Sequence, residues 1–288
     1  MIPQRNISLL SNRLAKQGGH RIPESVLERD YCLAWFIVGL SRSPLRDSLA
    51  FKGGTALKRC YFGNYRFSED LDFSLTKDTH LEDILAGFEK IYAGIKESSG
   101  VIIHFSRKDR KSHQNSHSFY LAYEGPLPGT TIKEVKVDIA IEERFVLPLQ
   151  KKRILKGYQE YEDLPEDAAI QVYSLEEILA EKVVALTDRA RNEPRDLYDV
   201  WYLIEQENMT ISSLIPEITN KLEFRGRKLE TMGEEFVNKK ARLKKLWQMR
   251  LANQMSDLPH FEEVYRAVQR SFRVAGLITN PSGAHMLY

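Results

Sequence analysis

Cysteine is almost missing from this chain: Cys32 and Cys60 are the only two in 288 residues. Both sit among apolar neighbours at helical spacing, which reads as two reduced core thiols and argues against a disulfide scaffold or a cysteine-built metal site. Long apolar runs are missing as well. No stretch could span a membrane, and the first residues lack the apolar segment of a secretory signal, so the expectation is a cytoplasmic protein without membrane contact. Nor is there an excess of charge of either sign: 42 Lys and Arg against 40 Asp and Glu leave a net charge of +2. With a pI near 8.3, composition carries no footprint of a nucleic-acid partner, and any such partner must be argued from local clusters. What remains is ordinary. A chain that is 42% hydrophobic and 28% charged can bury a real core, as one large domain or two small ones.

The informative stretch is FKGGTALKRCYFGNYRFSEDLDFSL, residues 51–75. Its first half holds a Gly-Gly-Thr turn that opens a helix over residues 55–61. Glycines there let backbone N–H groups approach phosphate oxygens closely, the helix N-terminus favours the negative charge, and Thr55 adds a hydroxyl. Gly53, Gly54 and Thr55 are therefore candidate phosphate-binding residues. In the second half, Phe67, Leu71, Phe73 and Leu75 alternate with polar neighbours, as a strand does. Alternation puts Asp70 and Asp72 on one face with Cα atoms roughly 6–7 Å apart, so both carboxylates can converge on a hard cation. Mg²⁺, or Mn²⁺ in its place, beside an NTP fits this pairing, because Mg²⁺ usually completes its shell with phosphate oxygens.

Around this stretch the chain reads as helices and strands. A short polar helix over residues 6–16, with Ile7, Leu10 and Leu14 at helical spacing, is expected to be a docking arm. Pro23 introduces a helix over residues 24–40 whose apolar stripe includes Asp30; a carboxylate facing a core needs a partner, so Asp30 is read as structural. A helix over residues 81–98 covers the sheet. Strands at residues 101–107 and 117–123 are joined by the polar loop KDRKSHQNS, in which His113 and His117 are read as loop residues. In KEVKVDIAIE, Val135, Val137, Ile139 and Ile141 form one face and Lys136, Asp138 and Ala140 the other, which places Asp138 on a strand and off the buried row.

Residues 148–173 turn charged and loop-like, which sets an expected boundary between residues 1–150 and a mostly helical region over residues 151–288. Ser174 followed by Glu177 reads as a capping box at the start of a helix. Lys182 falls inside that helix's apolar stripe, where an ammonium must snorkel, pair with an internal carboxylate, or reach a phosphate; spacing alone slightly favours pairing. In PRDLYDVWYL, Asp196 flanks a packed stripe and Asp199 points away, towards a cleft. The last third concentrates cations, among them Arg225, Arg227, Lys239, Lys240, Lys244 and Lys245. A solvated amphipathic face explains such a run, and an electrostatic track for RNA is the competing reading. Residues after Arg273 read as a mobile tail.

FKGGTAL followed by RFSEDLDF resembles the nucleotidyltransferase AbiEii/AbiGii toxin family, a MenT-like branch of the DNA polymerase β-like nucleotidyltransferases. LERDYCLAW upstream is similar to the family's Glu-Lys-Asp-Tyr helix, with Arg29 in place of lysine, and SLEEILAEKVVAL and PRDLYDVWYL match its later motifs. The resemblance covers about residues 24–203. It implies an α/β (α+β) fold, with a mixed sheet flanked by helices and a helical C-terminal region. It also implies transfer of a nucleoside monophosphate from an NTP to an acceptor, a tRNA 3′ end in some relatives. A cognate antitoxin, in a toxin–antitoxin or phage-defence system, would be the protein partner. Asp138 then completes the metal set begun by Asp70 and Asp72, since two cations beside a triphosphate need more than two acidic ligands. Lys182 serves the triphosphate, and the acidic residue of the last motif belongs to the active site, with Asp199 preferred over Asp196. Two rival classes use the same residues: a metal-dependent phosphohydrolase, and a non-catalytic nucleotide- or RNA-binding module.

Overall fold

The computed structural model of the chain describes residues 1–110, 115–129 and 131–278. His113, and the expected tail from residue 279 onward, lie outside the described residues. The chain divides into two compact units.

The first unit takes in Met1–Glu143, Leu149–Tyr173 and Asn253–Asp257. It opens with α1 (Gln4–Gly18) and α2 (Glu24–Ser41), followed by a 3₁₀ turn (Pro44–Asp47) and β1 (Leu49–Lys52). Next come α3 (Gly53–Ala56), which runs on as a π-helical turn (Leu57–Tyr61), then β2 (Leu71–Leu75) and α4 (Leu81–Ser99). β3 (Ile102–Lys108), β4 (Ser116–Glu124), β5 (Lys133–Ala140), β6 (Gln150–Arg153) and β7 (Ala169–Val172) complete it. The strands form one mixed sheet in the order β3-β4-β5-β2-β1-β7-β6, with parallel pairing at β2–β5 and β1–β7 and antiparallel pairing elsewhere.

Alternation decides which face of the sheet is buried. Phe51 lies opposite Phe73, with rings 5.1 Å apart, and Phe73 opposite Ile139. Phe88 of α4 packs edge-on against Phe36 of α2 at 5.2 Å and against Phe119 of β4 at 6.0 Å, so the two helices cover the apolar face. α1 belongs to this core: Ile7, Leu10 and Leu14 are all buried in it, which corrects the expectation of a docking arm. Asp30 is structural as expected. It is buried, ion-pairs with the fully buried Arg59 at 2.5 Å and accepts from the Tyr161 hydroxyl at 3.2 Å.

The second unit takes in Arg144–Pro148, Ser174–Ala252 and the chain from Leu258. Its helices are α5 (Leu175–Leu186), α6 (Pro194–Glu205), α7 (Ile215–Phe224), α8 (Met232–Asn238), α9 (Lys240–Leu251) and α10 (Phe261–Val274). Phe236 stacks on Tyr265 and Phe272 at 4.8 and 4.6 Å, closing α8 onto α10. Leu277 is buried, and its carbonyl lies where a side chain on Gly233 would have to go. The tail expectation therefore fails at Leu277, which packs, while Val274 is exposed as expected.

The expected capping box is half present. Ser174 Oγ accepts from Glu177 N–H at 3.1 Å, but the Glu177 carboxylate does not turn back to the cap. It accepts from Val146 and Leu147 N–H, at 3.2 and 2.8 Å, and ion-pairs with the buried Lys221 at 2.7 Å. A buried ammonium needs an anion more than a solvated cap needs its second bond.

Candidate active site

β1 runs into the diglycine turn without a loop, and at Gly53 the backbone takes φ +78°. Only glycine enters that region without strain. The turn is also crowded. A Cβ on Gly53 would overlap the Asp72 carboxylate, and one on Gly54 would come within 2.6 Å of an Arg66 Nη. Asp72 thus lies against the bare Cα of the turn, a placement set by register, since Lys52 and Asp72 are strand partners.

Thr55 is buried, and its Oγ1 donates to the Asp70 carbonyl at 2.5 Å. The expected phosphate hydroxyl is instead a brace that fixes the backbone of Asp70. Asp70 itself precedes the strand, which starts at Leu71 rather than near Phe67. Phe67 N–H donates to the Gln254 carbonyl at 2.6 Å, and the Phe67 ring stacks on Tyr158 at 5.9 Å, so this segment pairs outside the sheet.

The π-helical turn behind Thr55 carries charge inward. Lys58 is buried, donates to the Tyr65 carbonyl at 3.1 Å and the Tyr158 hydroxyl at 2.9 Å, and sits 4.1 Å over the Phe67 ring. Burial pulls its ammonium down to about 8, against the pull of Asp30.

Asp72 is the register partner of Asp138 across the parallel β2–β5 pair. Both side chains therefore leave the same face of the sheet, opposite the face covered by α2 and α4. The Asp138 carboxylate accepts from Ser118 Oγ and ion-pairs with Lys136 at 3.0 Å. Lys136 also reaches Asp109 at 3.3 Å. Burial would lower the Lys136 ammonium, but its bonds to Asp138 and Asp109 raise it on balance. Among the described residues, no three His, Cys, Asp or Glu side chains are gathered as they stand to hold a metal ion. The donor set nevertheless suits a hard cation: the carboxylates offer oxygen only, Asp72 and Asp138 are strand partners, and Lys136 supplies a stand-in positive charge at Asp138. Lys52, on the same face and opposite Asp72, ion-pairs with Glu143 at 3.1 Å. The sequence reading passed over it, although alternation with Phe51 already placed it on the carboxylate side.

In the second unit Lys182 does pair internally. Its Nζ lies 2.8 Å from both Asp196 Oδ1 and Asp199 Oδ2. Arg191 adds a bond of 2.5 Å to Asp196. Asp199 is 0% exposed and Asp196 1%, which corrects the expectation that Asp199 faces an open cleft. Burial alone would raise the Asp196 carboxyl, but Lys182 and Arg191 overcome it and hold it well below the usual carboxylate range.

The cationic run of the last third is largely spent on structure. Arg227 donates to the Val184 and Thr187 carbonyls at 2.9 and 2.7 Å, and Lys239 to those of Leu186 and Asp188 at 2.6 and 2.8 Å. Both therefore cap the end of α5, where cations meet unsatisfied carbonyls. Burial lowers Lys239 to about 8. Lys240 and Lys244 both hold Glu262, at 3.0 and 2.8 Å, and their bonds pull its carboxyl down to about 2. Arg225 and Lys245 are exposed.

A family model described as "Nucleotidyl transferase AbiEii toxin, Type IV TA system" matches residues 35–269. Among solved structures, the chain is similar to MenT4, a nucleotidyltransferase toxin from Mycobacterium tuberculosis H37Rv. The TM-score is 0.61 at 17% identity, covering 93% of this chain and 89% of that one, and at such identity the likeness speaks for the fold. No curated protein matches the chain.

Proposed function

Because the chain belongs to the AbiEii nucleotidyl transferase toxin family of type IV toxin–antitoxin systems, we propose that it moves a nucleoside monophosphate from an NTP to an RNA acceptor. Pyrophosphate would be the leaving group. The observation that carries this reading is the Asp72 carboxylate lying against Gly53 and in register with Asp138. One turn and two strands thereby join a phosphate-approach backbone to a pair of acids.

Asp70 and Asp72 would hold Mg²⁺, or Mn²⁺, together with Asp138, whose charge Lys136 otherwise balances. Bound there, the cation would supply charge stabilisation for the phosphoryl oxygens. The chain's own contribution is placement. Gly53 and Gly54 are assigned to the phosphates through their backbone N–H groups, and Thr55 fixes Asp70 through its carbonyl. Ser118 holds the Asp138 carboxylate in one orientation. In the second unit, Lys182 is assigned to triphosphate oxygens. Its support is the pair of 2.8 Å contacts with Asp196 and Asp199, which take positioning roles. A tRNA 3′ end is the acceptor we favour, phage defence the setting, and a cognate antitoxin the partner.

The test is incubation with each α-labelled NTP in turn, total RNA and Mg²⁺. Label should enter RNA with at least one NTP, vanish with a chelator, and be lost in Asp70→Ala and Asp72→Asn. RNA that stays unlabelled while NTP is consumed would identify a phosphohydrolase. Toxicity that survives Asp70→Ala would identify a non-catalytic module.

A further inference from the structure

The segment KKRILK, residues 151–156, reads in sequence as part of a charged connection. In the fold its first three residues belong to β6, the edge strand of the sheet. Register decides where these cations point. Val172 pairs with Phe51 and belongs to the buried face; Lys151 pairs with Gln171 and Arg153 with Ala169, which belong to the other. The other face is the one that bears Lys52, Asp72 and Asp138. Tyr173, two residues after Gln171, confirms the parity: its hydroxyl meets Ser74 at 2.8 Å and its ring lies under Lys52.

Three strand spacings separate β2 from β6, and Lys151 and Arg153 lie two and four residues along the strand from the level of Asp72, which puts them roughly 16 and 20 Å from it on the same face of the sheet. Lys151 and Arg153 are exposed. Unlike Lys240 and Lys244, neither has a carboxylate within ion-pair distance among the described residues. Lys152 turns to the opposite face and lies 5.1 Å over the Tyr61 ring, and Lys156 reaches Glu166 at 3.8 Å. Beside Lys151 a hollow of 220 Å³ is lined by Arg46, Asp47, Gln150 and Gln171. Its guanidinium, Arg46, is paired with Asp47 at 3.7 Å.

We propose that this edge binds the sugar–phosphate backbone of the acceptor RNA, a few nucleotides upstream of the reacting 3′ end. The inference rests on the RNA-directed reading above and names the surface that reading lacks. Two unneutralised cations on the carboxylate face suit a polyanion whose end reaches the acids, and exposed cations that release counterions make such binding salt-dependent.

The experiment uses the full chain and a fluorescein-labelled, single-stranded RNA dodecamer of mixed sequence, titrated by anisotropy across a salt series. Lys151→Glu with Arg153→Glu should weaken binding at least tenfold and reduce the slope of log K against log salt by about 1.4, two contacts on a single strand. NTP affinity and thermal unfolding should not change. Lys244→Glu with Lys245→Glu on α9 is the comparison and should leave RNA binding near that of the unaltered protein. The proposal is overturned if reversal at α9 weakens RNA binding and reversal at β6 does not, if the dodecamer shows no salt-dependent binding, or if an acidic peptide of equal charge binds the β6 edge as tightly as RNA. Each outcome is read without turnover, so a failure of RNA labelling would count against the enzymatic reading and leave this binding result to stand or fall alone.

Discussion

Gly53→Ala separates the two tasks assigned to the diglycine turn. At φ +78° an alanine costs roughly 1–2 kcal/mol in backbone strain, partly offset by about 0.4–1 kcal/mol from a stiffer unfolded chain. Gly19 is a matched control: its φ is +82°, yet nothing lies within 4 Å of the position its Cβ would take. Gly19→Ala and Gly53→Ala should therefore lose similar stability in urea unfolding, on the order of 1 kcal/mol each. Only the second forces a methyl group into the Asp72 carboxylate. The carboxylate is the end of a side chain and will move, and a displacement near 1 Å at a reacting centre can cost about 100-fold in rate. RNA labelling at saturating NTP and Mg²⁺ should then fall by that factor in Gly53→Ala and stay unchanged in Gly19→Ala. Equal labelling in the two variants would refute the argument that the bare turn exists to seat Asp72.

Arg59→Met should destabilise the first unit by about 3–5 kcal/mol, because it strands the Asp30 carboxylate in the core; a loss under about 1 kcal/mol in urea unfolding would show that the pair is not what holds α2 to the turn. Lys58, lowered by burial to about 8, binds its proton more weakly in the native state than unfolded, so native stability should rise as pH climbs from about 8 towards 10. The full gain is about 3 kcal/mol, and Lys58→Met should remove that slope in unfolding curves taken across the window. Asp196, held low by Lys182 and Arg191 against its burial, contributes stability that is present above the ordinary carboxylate range and lost as pH falls below it. Lys182→Met should raise the Asp196 carboxyl and move acid unfolding to higher pH, while Lys182→Arg should keep it near its original place.

Much of the architecture was written locally. Alternation over residues 71–75 and 133–140 predicted which face would be buried, and Phe73, Val137 and Ile139 are indeed in the core while Asp72 and Asp138 turn away from it. The apolar stripe of α4 followed from spacing, as did the Ser174 cap, whereas α2, read as carrying one stripe, is buried on nearly every side. Such signals survive in one dimension because a helix or strand repeats its geometry over a few residues.

The fate of each charge could not be read in that way. Asp199 was expected to face a cleft and is fully buried on Lys182, because helix spacing gives a direction and says nothing of what lies there. Arg227 and Lys239 read as part of a solvated face, with an RNA track as the rival, and instead cap α5, drawn inward by carbonyls some 40 and 50 residues away in the chain. KKR looked like a connection and became an edge strand, since a four-residue strand exists only through its partner β7. Side-chain periodicity is a property of neighbours and belongs to the sequence. Register, and the pairing of buried charges, are bargains between distant segments that only the folded chain can strike.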